Sequence, residues 1–338
     1  MTTLKEIAAR CGCSVATVSK ALNAMPDISP ETAKRIQAIA NEMGYIPNAA
    51  ARTLKTNRSH SIALLLFLRN ESVWTHDYFA RVASGIQTVV EAAGYDLTPV
   101  TCTRENIRER YVDYCRHRGY DGLIVMSGVF NENELMELIN SEIPLVTIDY
   151  AFYHRGAVIS DNAAGMRDLI RFIHSRGHRR IAYIYGEDGS VSQTRLAAFY
   201  DTCQELGLDV PDAYVKKALY RDHASCALAT RALLALPKRP TCILYPDDYA
   251  CMGGINEILG AGLRIPHDIS VAGYDGIPLA EMIHPRLTTL RQDAEGVGQN
   301  AARLILKAIE SPKSFLPQHI SLSGRVIEGE SVRDLNHV

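Results

Sequence analysis

The first stretch that points to a chemistry is a run of short polar and basic side chains between residues 14 and 23. In a helix that begins after Ser14, the outward face carries Val15, Ala16, Thr17, Ser19, Lys20 and Asn23. Short, hydrogen-bonding or basic side chains suit a helix whose N-terminal end meets base edges in a DNA major groove. The alternative is a small amphipathic hairpin with a solvated polar face, and this run alone leaves both interpretations open.

Two short helices are predicted to position this face. Apolar residues recur at helical spacing in two sets, Leu4, Ile7 and Ala8, then Val15, Val18 and Leu22. Gly12 lies in the break between the sets, where the chain must turn sharply, and Ser14 can cap the second helix. Two helices joined by a turn of three or four residues form a helix-turn-helix.

A third helix is predicted after Ser29-Pro30-Glu31, which places a capping residue, a proline and an acid at its start. Its apolar stripe consists of Ala33, Ile36, Ala40 and Met43, and Gly44 follows its end. Three helices in so few residues make a minimal head domain.

The charge distribution supports a head that contacts phosphate. Of the 36 Lys and Arg residues and 38 Asp and Glu residues, eight basic and four acidic ones lie within 1–58. The rest of the chain therefore holds 28 basic and 34 acidic residues. A basic head on an acidic body is typical of a nucleic-acid-binding module.

The segment after the head favours a short, weakly stable helix. Asn48 can cap a helix from Ala49 to about Lys55, and this stretch is rich in alanine. A helix this short forms in water only when something packs on it. The alternative is a plain linker with some helical bias.

From Ser61 onward, strands and helices alternate. Continuous apolar strands such as Ile62–Leu68 are followed by amphipathic helices, and the pattern restarts near Val158–Asn162. Such alternation predicts parallel sheets covered on both faces. Two successive doubly wound halves place a ligand cleft outside the carboxyl ends of their strands.

Several side chains at predicted strand ends could line that cleft. Asp149 follows PLVTI, Asp247 and Asp248 follow CILYP, and Asp275 follows SVAGY. Carboxylates accept hydrogen bonds from sugar hydroxyls, often two at once. The alternative for each acid is a turn or helix cap at the end of a strand.

Composition and motifs narrow the class of protein. The chain has 338 residues, 47% of them hydrophobic, and shows neither a signal peptide nor a membrane-spanning run, so we expect a cytoplasmic protein. Eight scattered cysteines are expected to be reduced thiols, and Cys11-Gly12-Cys13 has no second ligand pair for a metal site.

No catalytic site is predicted. His174 and His178 are four residues apart, but a structural role is favoured over a metal site. GEDGS at 186–190 is not a phosphate-binding loop, and no nucleophile elbow is present. We therefore expect neither an enzyme nor a cofactor.

The phrases TLKEIAARCGCSVATVSKALN (3–23) and SPETAKRIQAIANEMGYIPNAAARTLKT (29–56) resemble the LacI/GalR family of bacterial transcriptional regulators. The downstream phrases RGHRRIAYIYG, TRLAAF, PDDYACMGGINEILGAGLRIPHDISVAGYDG and HPRLTTLRQD match the same family. The resemblance implies an all-α helix-turn-helix head and a periplasmic-binding-protein-like α/β effector domain. It divides the chain into a head (1–46), a hinge helix and linker (47–60), and an effector and dimerisation domain (61–338).

Within that domain the resemblance implies two subdomains joined by three crossings. The first subdomain is expected at about 61–160 and 291–320, and the second at about 161–290 and 321–338. The crossings are expected near Ser160–Asn162, Leu287–Arg291 and Gln318–Ser321.

For DNA, the resemblance implies that the hinge helix folds on the operator and that Leu54, beside Lys55, wedges into the minor groove. Val15-Ala16 occupies the pair that varies most among family members, so apolar contact to the bases is expected there. The complete predicted DNA-binding set is Thr3, Leu4, Ser14, Val15, Ala16, Thr17, Ser19, Lys20, Asn23, Tyr45, Asn48, Ala51, Leu54 and Lys55.

For the effector, the resemblance makes Arg195 the main ligand-binding arginine. The other predicted contacts are Tyr78, Phe79, Asp149, Arg221, Asp247 and Asp275. Arg221 stands where relatives often place a stacking ring, and Val191 stands where they often place a polar residue.

These features predict a repressor that binds a pseudo-palindromic operator as a homodimer, because one head reads only a half-site. A small carbohydrate is the expected effector, acting as an inducer. The alternatives are a regulator that depends on a corepressor or a phosphoprotein, and a solute-binding receptor. The receptor would lack the basic head and would carry a secretory signal.

Overall fold

The structure is a computed structural model that describes residues 2–22, 25, 27–45, 58–67, 77–103, 106–127 and 133–336. The chain divides into two compact units, residues 1–59 and residues 60–338, and each is described by itself. Across the described residues, no helix combines the length and the apolar character needed to cross a lipid bilayer.

The smaller unit contains the predicted helix-turn-helix. Helix α1 spans Leu4–Cys11 and α2 spans Val15–Leu22, and Gly12 between them adopts a φ of 64°. The Thr3 hydroxyl accepts from the Glu6 amide while the Glu6 carboxylate accepts from the Thr3 amide, which closes a capping box on α1.

The third helix, α3, spans Pro30–Glu42, and the Ser29 hydroxyl caps it by accepting from the Thr32 amide. Ile7, Val18 and Ile36 are fully buried and form the centre of the head core. The spacing of apolar residues in the sequence predicted that these three side chains face the core, because residues three or four apart lie on the same face of a helix.

Within its described residues, the larger unit contains two six-stranded sheets, each belonging to one lobe. The first sheet has the order β11-β5-β4-β3-β1-β2, and the second has the order β12-β10-β9-β8-β6-β7. The strands are β1 Ser61–Leu66, β2 Asp96–Thr101, β3 Gly122–Ser127, β4 Leu145–Ile148, β5 Gly156–Ser160, β6 Ile181–Tyr185, β7 Val215–Lys217, β8 Cys242–Leu244, β9 Ser270–Asp275, β10 Thr288–Arg291, β11 His319–Leu322 and β12 Arg325–Ile327. Among the strands of the described residues, all pairs are parallel except β10 with β12.

Helices cover both faces of each sheet, so the predicted fold class is confirmed. They are α4 Asp77–Ala92, α5 Tyr111–Arg118, α6 Asn133–Ile139, α7 Asn162–Ser175, α8 Ser190–Glu205, α9 His223–Leu234, α10 Asp248–Gly260, α11 Leu279–Met282 and α12 Ala294–Glu310. Helix α5 begins at Tyr111, because Arg110 has extended backbone angles and Ile107 packs into the core from an irregular segment.

The chain crosses between the lobes at residue 161, at 292–293 and at 323–324. The predicted second crossing (Leu287–Arg291) and third crossing (Gln318–Ser321) are therefore a few residues too early. The physical reason is that β10 and β11 still pair within their own sheets over these residues before the chain leaves them.

Glycines permit the closest helix packing in the first lobe, between α4 and α12. A Cβ atom on Gly298 would collide with the Val82 carbonyl oxygen, and one on Gly85 would collide with the Glu295 carbonyl oxygen. Because both obstacles are backbone atoms of buried helices, neither can move without shifting a helix.

Gly298→Ala should therefore lower the free energy of unfolding of the larger unit by about 1–3 kcal/mol through overpacking. Gly260→Ala, near the end of α10, serves as the matched control because its Cβ would meet nothing within 4 Å. Urea unfolding followed by circular dichroism measures both variants. Equal stability for the two would contradict the predicted collision.

Candidate functional site

The structure places the predicted DNA-reading face at the surface of the head. Val15 is 40% exposed, Ala16 and Lys20 are also exposed, and Thr17 and Ser19 are half-buried. Lys20 forms an ion pair with Asp27. The face thus presents two small apolar side chains at the start of α2 and a basic side chain near its end.

Other predicted DNA contacts also have structural roles within the head. The Ser14 hydroxyl accepts a hydrogen bond of 3.0 Å from the Thr17 amide and so caps α2. Leu4 and Tyr45 are partly buried against the head core. Five members of the predicted set lie outside the described residues: Asn23, Asn48, Ala51, Leu54 and Lys55. The DNA-binding role of every residue in the set stays a prediction.

In the larger unit, the predicted effector residues lie where the strands of both lobes end. Asp149 follows β4, Asp275 ends β9, and Arg195 projects from α8. Asp149, Arg221 and Asp275 have φ values of 60°, 56° and 103°, in a region that side chains other than glycine rarely adopt. Strained backbone of this kind tends to cluster at binding sites.

Arg195 is the buried cation of this cleft and is only 3% exposed. Its Nε donates to Asn162 Oδ1 at 2.7 Å, and its NH1 group donates to the Pro246 carbonyl at 3.0 Å. The guanidinium carbon lies 3.5 Å from the centre of the Tyr274 ring. Burial alone lowers the pKa of Arg195, but the neighbouring Tyr274, Tyr220 and Asp275 raise it overall, so the side chain stays charged.

The Asp149 carboxylate is engaged within the first lobe. Tyr78 donates its hydroxyl to Oδ2 at 3.2 Å, and the Ser160 amide donates to Oδ1 at 3.0 Å. Burial raises the pKa of Asp149 above its ordinary value. The Ser190 hydroxyl, from the second lobe, donates to the Asp149 carbonyl at 3.2 Å and thereby links the two lobes.

Asp247 acts as a helix cap. One carboxylate oxygen accepts from the Ala250 amide at 2.6 Å, and the other accepts from the Arg221 amide at 2.8 Å. This arrangement corresponds to the capping alternative raised from the sequence, and it fixes the strained backbone of Arg221. Asp248 is likewise used internally, since it accepts from the Ile277 amide and the Thr289 hydroxyl.

Asp275 is the acid that remains most available. Gln292 donates to Oδ1 at 2.7 Å, and no described residue donates a side-chain hydrogen bond to Oδ2. Burial raises the pKa of Asp275 to about 7, with Arg195 acting in the opposite direction. It lines a small cavity with Asp77, Arg221, Asp247, Tyr249 and Ile277.

An aromatic side chain that the sequence did not single out, Tyr249, lies against Arg221. Its guanidinium carbon lies 4.9 Å from the centre of the Tyr249 ring, and Tyr249 stacks on His223 at 4.5 Å. The sequence therefore lacks a ring at position 221 but supplies one from α10. The phrase PDDY after a buried strand was the available signal, because Tyr249 follows the two acids directly.

Val191 stands where relatives often place a polar residue, and polar side chains flank it on both sides. The Ser192 hydroxyl lies 2.8 Å from the Tyr220 hydroxyl, and Ser190 makes the contact between lobes described above. Phe79 is partly buried against the core of the first lobe, with its ring 5.5 Å from that of Tyr78.

His178 has a structural role. Its two ring nitrogens lie 2.9 Å from the Thr241 hydroxyl and 3.1 Å from the Arg333 carbonyl, and burial lowers its pKa to about 4. No group of three or more potential metal ligands occurs within the described part of the chain.

Two family models match the chain. The model described as bacterial regulatory proteins, lacI family, matches residues 3–48. The model described as a periplasmic binding protein-like domain matches residues 170–332. The two matches fall on the helix-turn-helix head and mainly on the second lobe.

Relatives match over nearly the full length. The HTH-type transcriptional repressor PurR of Escherichia coli is 30% identical over 340 residues, covering 99% of this chain and 98% of that protein. PurR of Vibrio cholerae is 29% identical over 343 residues, covering 99% of both chains.

Solved structures share the fold. A lac repressor dimer bound to operator and the anti-inducer ONPF has a TM-score of 0.82 and 22% identity, covering 98% of this chain and 99% of that one. A complex of the transcriptional regulator CelR with cellobiose has a TM-score of 0.74 and 24% identity, covering 98% of this chain and all of that one.

The raised pKa of Asp275 predicts a pH-dependent contribution to stability. The ordinary pKa of this carboxyl is 3.8 and the folded value is about 7, so only the folded state keeps the proton between them. The contribution of Asp275 to the free energy of unfolding should therefore fall as pH rises through this range, by at most about 1.4 kcal/mol per pH unit.

Asp275→Asn should remove this pH dependence, whereas Asp201→Asn, on the exposed side of α8, should retain it. Urea unfolding at several pH values provides the measurement. The interpretation fails if the wild type and Asp275→Asn show the same slope of stability against pH.

Proposed function

The chain belongs to the LacI family of bacterial regulatory proteins and is a DNA-binding transcriptional regulator; from this premise we propose that it represses genes as a homodimer whose operator affinity is set by a small carbohydrate. The single observation that carries the effector part of the proposal is the buried Arg195–Tyr274–Asp275 group at the strand ends of the cleft.

The proposed reading mode follows from the surface of α2. Val15 and Ala16 offer methyl groups rather than hydrogen-bonding pairs, so discrimination at the bases they meet rests on apolar contact. Lys20 and the basic character of residues 1–58 supply the attraction to phosphate. A homodimer supplies two heads for the two halves of an inverted repeat.

The proposed ligand chemistry follows from the free hydrogen-bonding capacity of the cleft. Asp275 retains an acceptor oxygen, and the Arg195 guanidinium retains N–H donors besides those that bond Asn162 and Pro246. Aromatic rings such as Tyr249 can cover the apolar face of a sugar ring. The cellobiose bound to CelR, a protein of the same fold, is consistent with a carbohydrate.

Asp149 and Asp247 are proposed to act mainly by positioning. Their carboxylate oxygens already accept hydrogen bonds from the protein, so they hold Tyr78 and Arg221 in place beside the ligand. Tyr78 and Phe79 form the proposed wall of the first lobe, and Arg221 with Tyr249 forms the proposed wall of the second.

The proposed regulation is a thermodynamic linkage between effector binding in the cleft and operator binding by the heads. A ligand that contacts both lobes favours one lobe arrangement, and it changes operator affinity only as far as the two arrangements differ in DNA binding. We propose induction, in which the occupied cleft disfavours pairing of the hinge segments that carry Leu54. Corepression, with the opposite sign, is the second candidate.

The operator is found by selecting duplexes from a random pool with the full-length protein. An inverted repeat is the expected product, with affinity that falls steeply as salt rises because phosphate contacts release counterions. Gel shifts of that duplex with sugars, sugar phosphates and purine bases then identify the effector class. A response to purines alone would overturn the carbohydrate proposal but leave the operator proposal intact.

Leu54→Gly should reduce operator affinity to the level of random DNA, because the apolar wedge that bends the operator is lost. Leu316→Gly, which changes a highly exposed leucine in the larger unit, should leave affinity unchanged. Gel shifts with specific and random duplexes measure both variants. Wild-type affinity of Leu54→Gly would refute the wedge.

Arg195→Lys should weaken the effector response by about tenfold or more, since lysine keeps the charge but not the planar donor geometry. Arg171→Lys, in a surface ion pair with Glu205, is the control. Effector-dependent release of operator is the readout, and operator binding without effector reports folding. An unaltered effector midpoint in Arg195→Lys would exclude this arginine from the site.

A further inference from the structure

The turn between α1 and α2 contains two cysteines separated by one glycine. Cys11 is the last residue of α1 and is 8% exposed, and Cys13 is partly buried against the same head core. Gly12 between them adopts a left-handed conformation with φ 64°. Both thiols therefore belong to one small structural element that neither the DNA-reading face nor the effector cleft uses.

The spacing of Cys11 and Cys13 limits how far apart their sulfur atoms can lie. Residues two apart are separated by no more than about 7 Å between Cα atoms even when extended. The left-handed bend at Gly12 makes the separation shorter than this extended limit, and a disulfide needs about 4.4–6.8 Å between Cα atoms. Burial raises the pKa of the Cys11 thiol, and an interaction with the Cys13 thiol also raises it.

Accessibility distinguishes Cys13 from the other thiols. All eight cysteines lie in the described part of the chain, and all are unpaired. Seven are buried, and Cys13 is the exception. Burial raises the pKa of Cys102, Cys115 and Cys203 to about 12, which suppresses their reactive thiolate forms.

We propose that Cys11 and Cys13 are an oxidation site at which a hydroperoxide forms an intrachain disulfide that lowers operator affinity. The hydroperoxide transfers one oxygen atom to the Cys13 sulfur, giving a sulfenic acid and releasing water or an alcohol. The Cys11 sulfur then attacks the Cys13 sulfur, the S–O bond breaks, and the departing hydroxide combines with the Cys11 proton as water. Both sulfur atoms are oxidised, and the peroxide is reduced.

The expected effect on DNA binding follows from the hydrogen bonds that the residues of this turn make. The Gly12 and Cys13 amides donate to carbonyls of α1, with Cys13 bonding Ala8 at 3.1 Å. Ser14, the next residue, caps α2. A ring closed across Gly12 fixes new backbone angles in this turn, so it changes the direction in which α2 leaves α1. This inference rests on the proposed operator binding.

The test uses full-length protein and the operator selected under reducing conditions. After treatment with hydrogen peroxide, peptide mass mapping should show a loss of two hydrogen atoms in the fragment containing Cys11 and Cys13. Operator affinity should fall roughly tenfold, comparable to the loss of one good DNA contact. Dithiothreitol should restore both the mass and the affinity.

Cys13→Ser should bind operator when reduced and should lose its response to peroxide, and Cys203→Ser, in the buried core of the second lobe, should respond as the wild type does. If Cys13→Ser does not fold, Cys11→Ala provides the same comparison. The proposal is overturned by a cross-link between two chains, by a disulfide at other cysteines, by unchanged thiols, or by a mapped disulfide without loss of affinity. If the reduced protein selects no operator, the regulatory function fails, and the mapping still reports whether the disulfide forms.

Discussion

The cleft of the larger unit depends on one buried positive charge, that of Arg195. Its guanidinium bonds Asn162 at the start of α7 and the Pro246 carbonyl after β8, and it lies on the ring of Tyr274. Burial disfavours ionisation of the carboxyl groups at the neighbouring strand ends, and the charged forms of these groups repel one another. Arg195 offsets part of this cost, since charges interact strongly where water is excluded.

The acids around this charge divide into two kinds. Asp149 and Asp247 use their oxygens to fix Tyr78 and Arg221, whereas Asp275 keeps an oxygen that no described side chain bonds. Asp149, Arg221 and Asp275 have strained backbone angles, which persist because helix caps and side-chain hydrogen bonds hold these residues in place. The rigidity of the site therefore comes from its supporting contacts rather than from the ligand-facing atoms.

The head has a much smaller hydrophobic core than the larger unit. Its core is centred on Ile7, Val18 and Ile36, and the caps at Thr3, Ser14 and Ser29 satisfy the free amides at its helix starts. A domain this small buries little surface, so its core supplies only marginal stability.

The sequence by itself determined the helix-turn-helix, its caps, the alternation of strands and helices, and the strand-end acids, because these features depend on local periodicity and turn chemistry. The exact residues at which the chain crosses between the lobes depended on how far β10 and β11 pair with strands distant in the chain. Only the tertiary structure decided that Asp247 also accepts from the Arg221 amide, that Tyr249 stacks with Arg221, and that Asp275 remains available. Contacts between residues far apart in sequence settle these roles, and local spacing carries no record of them.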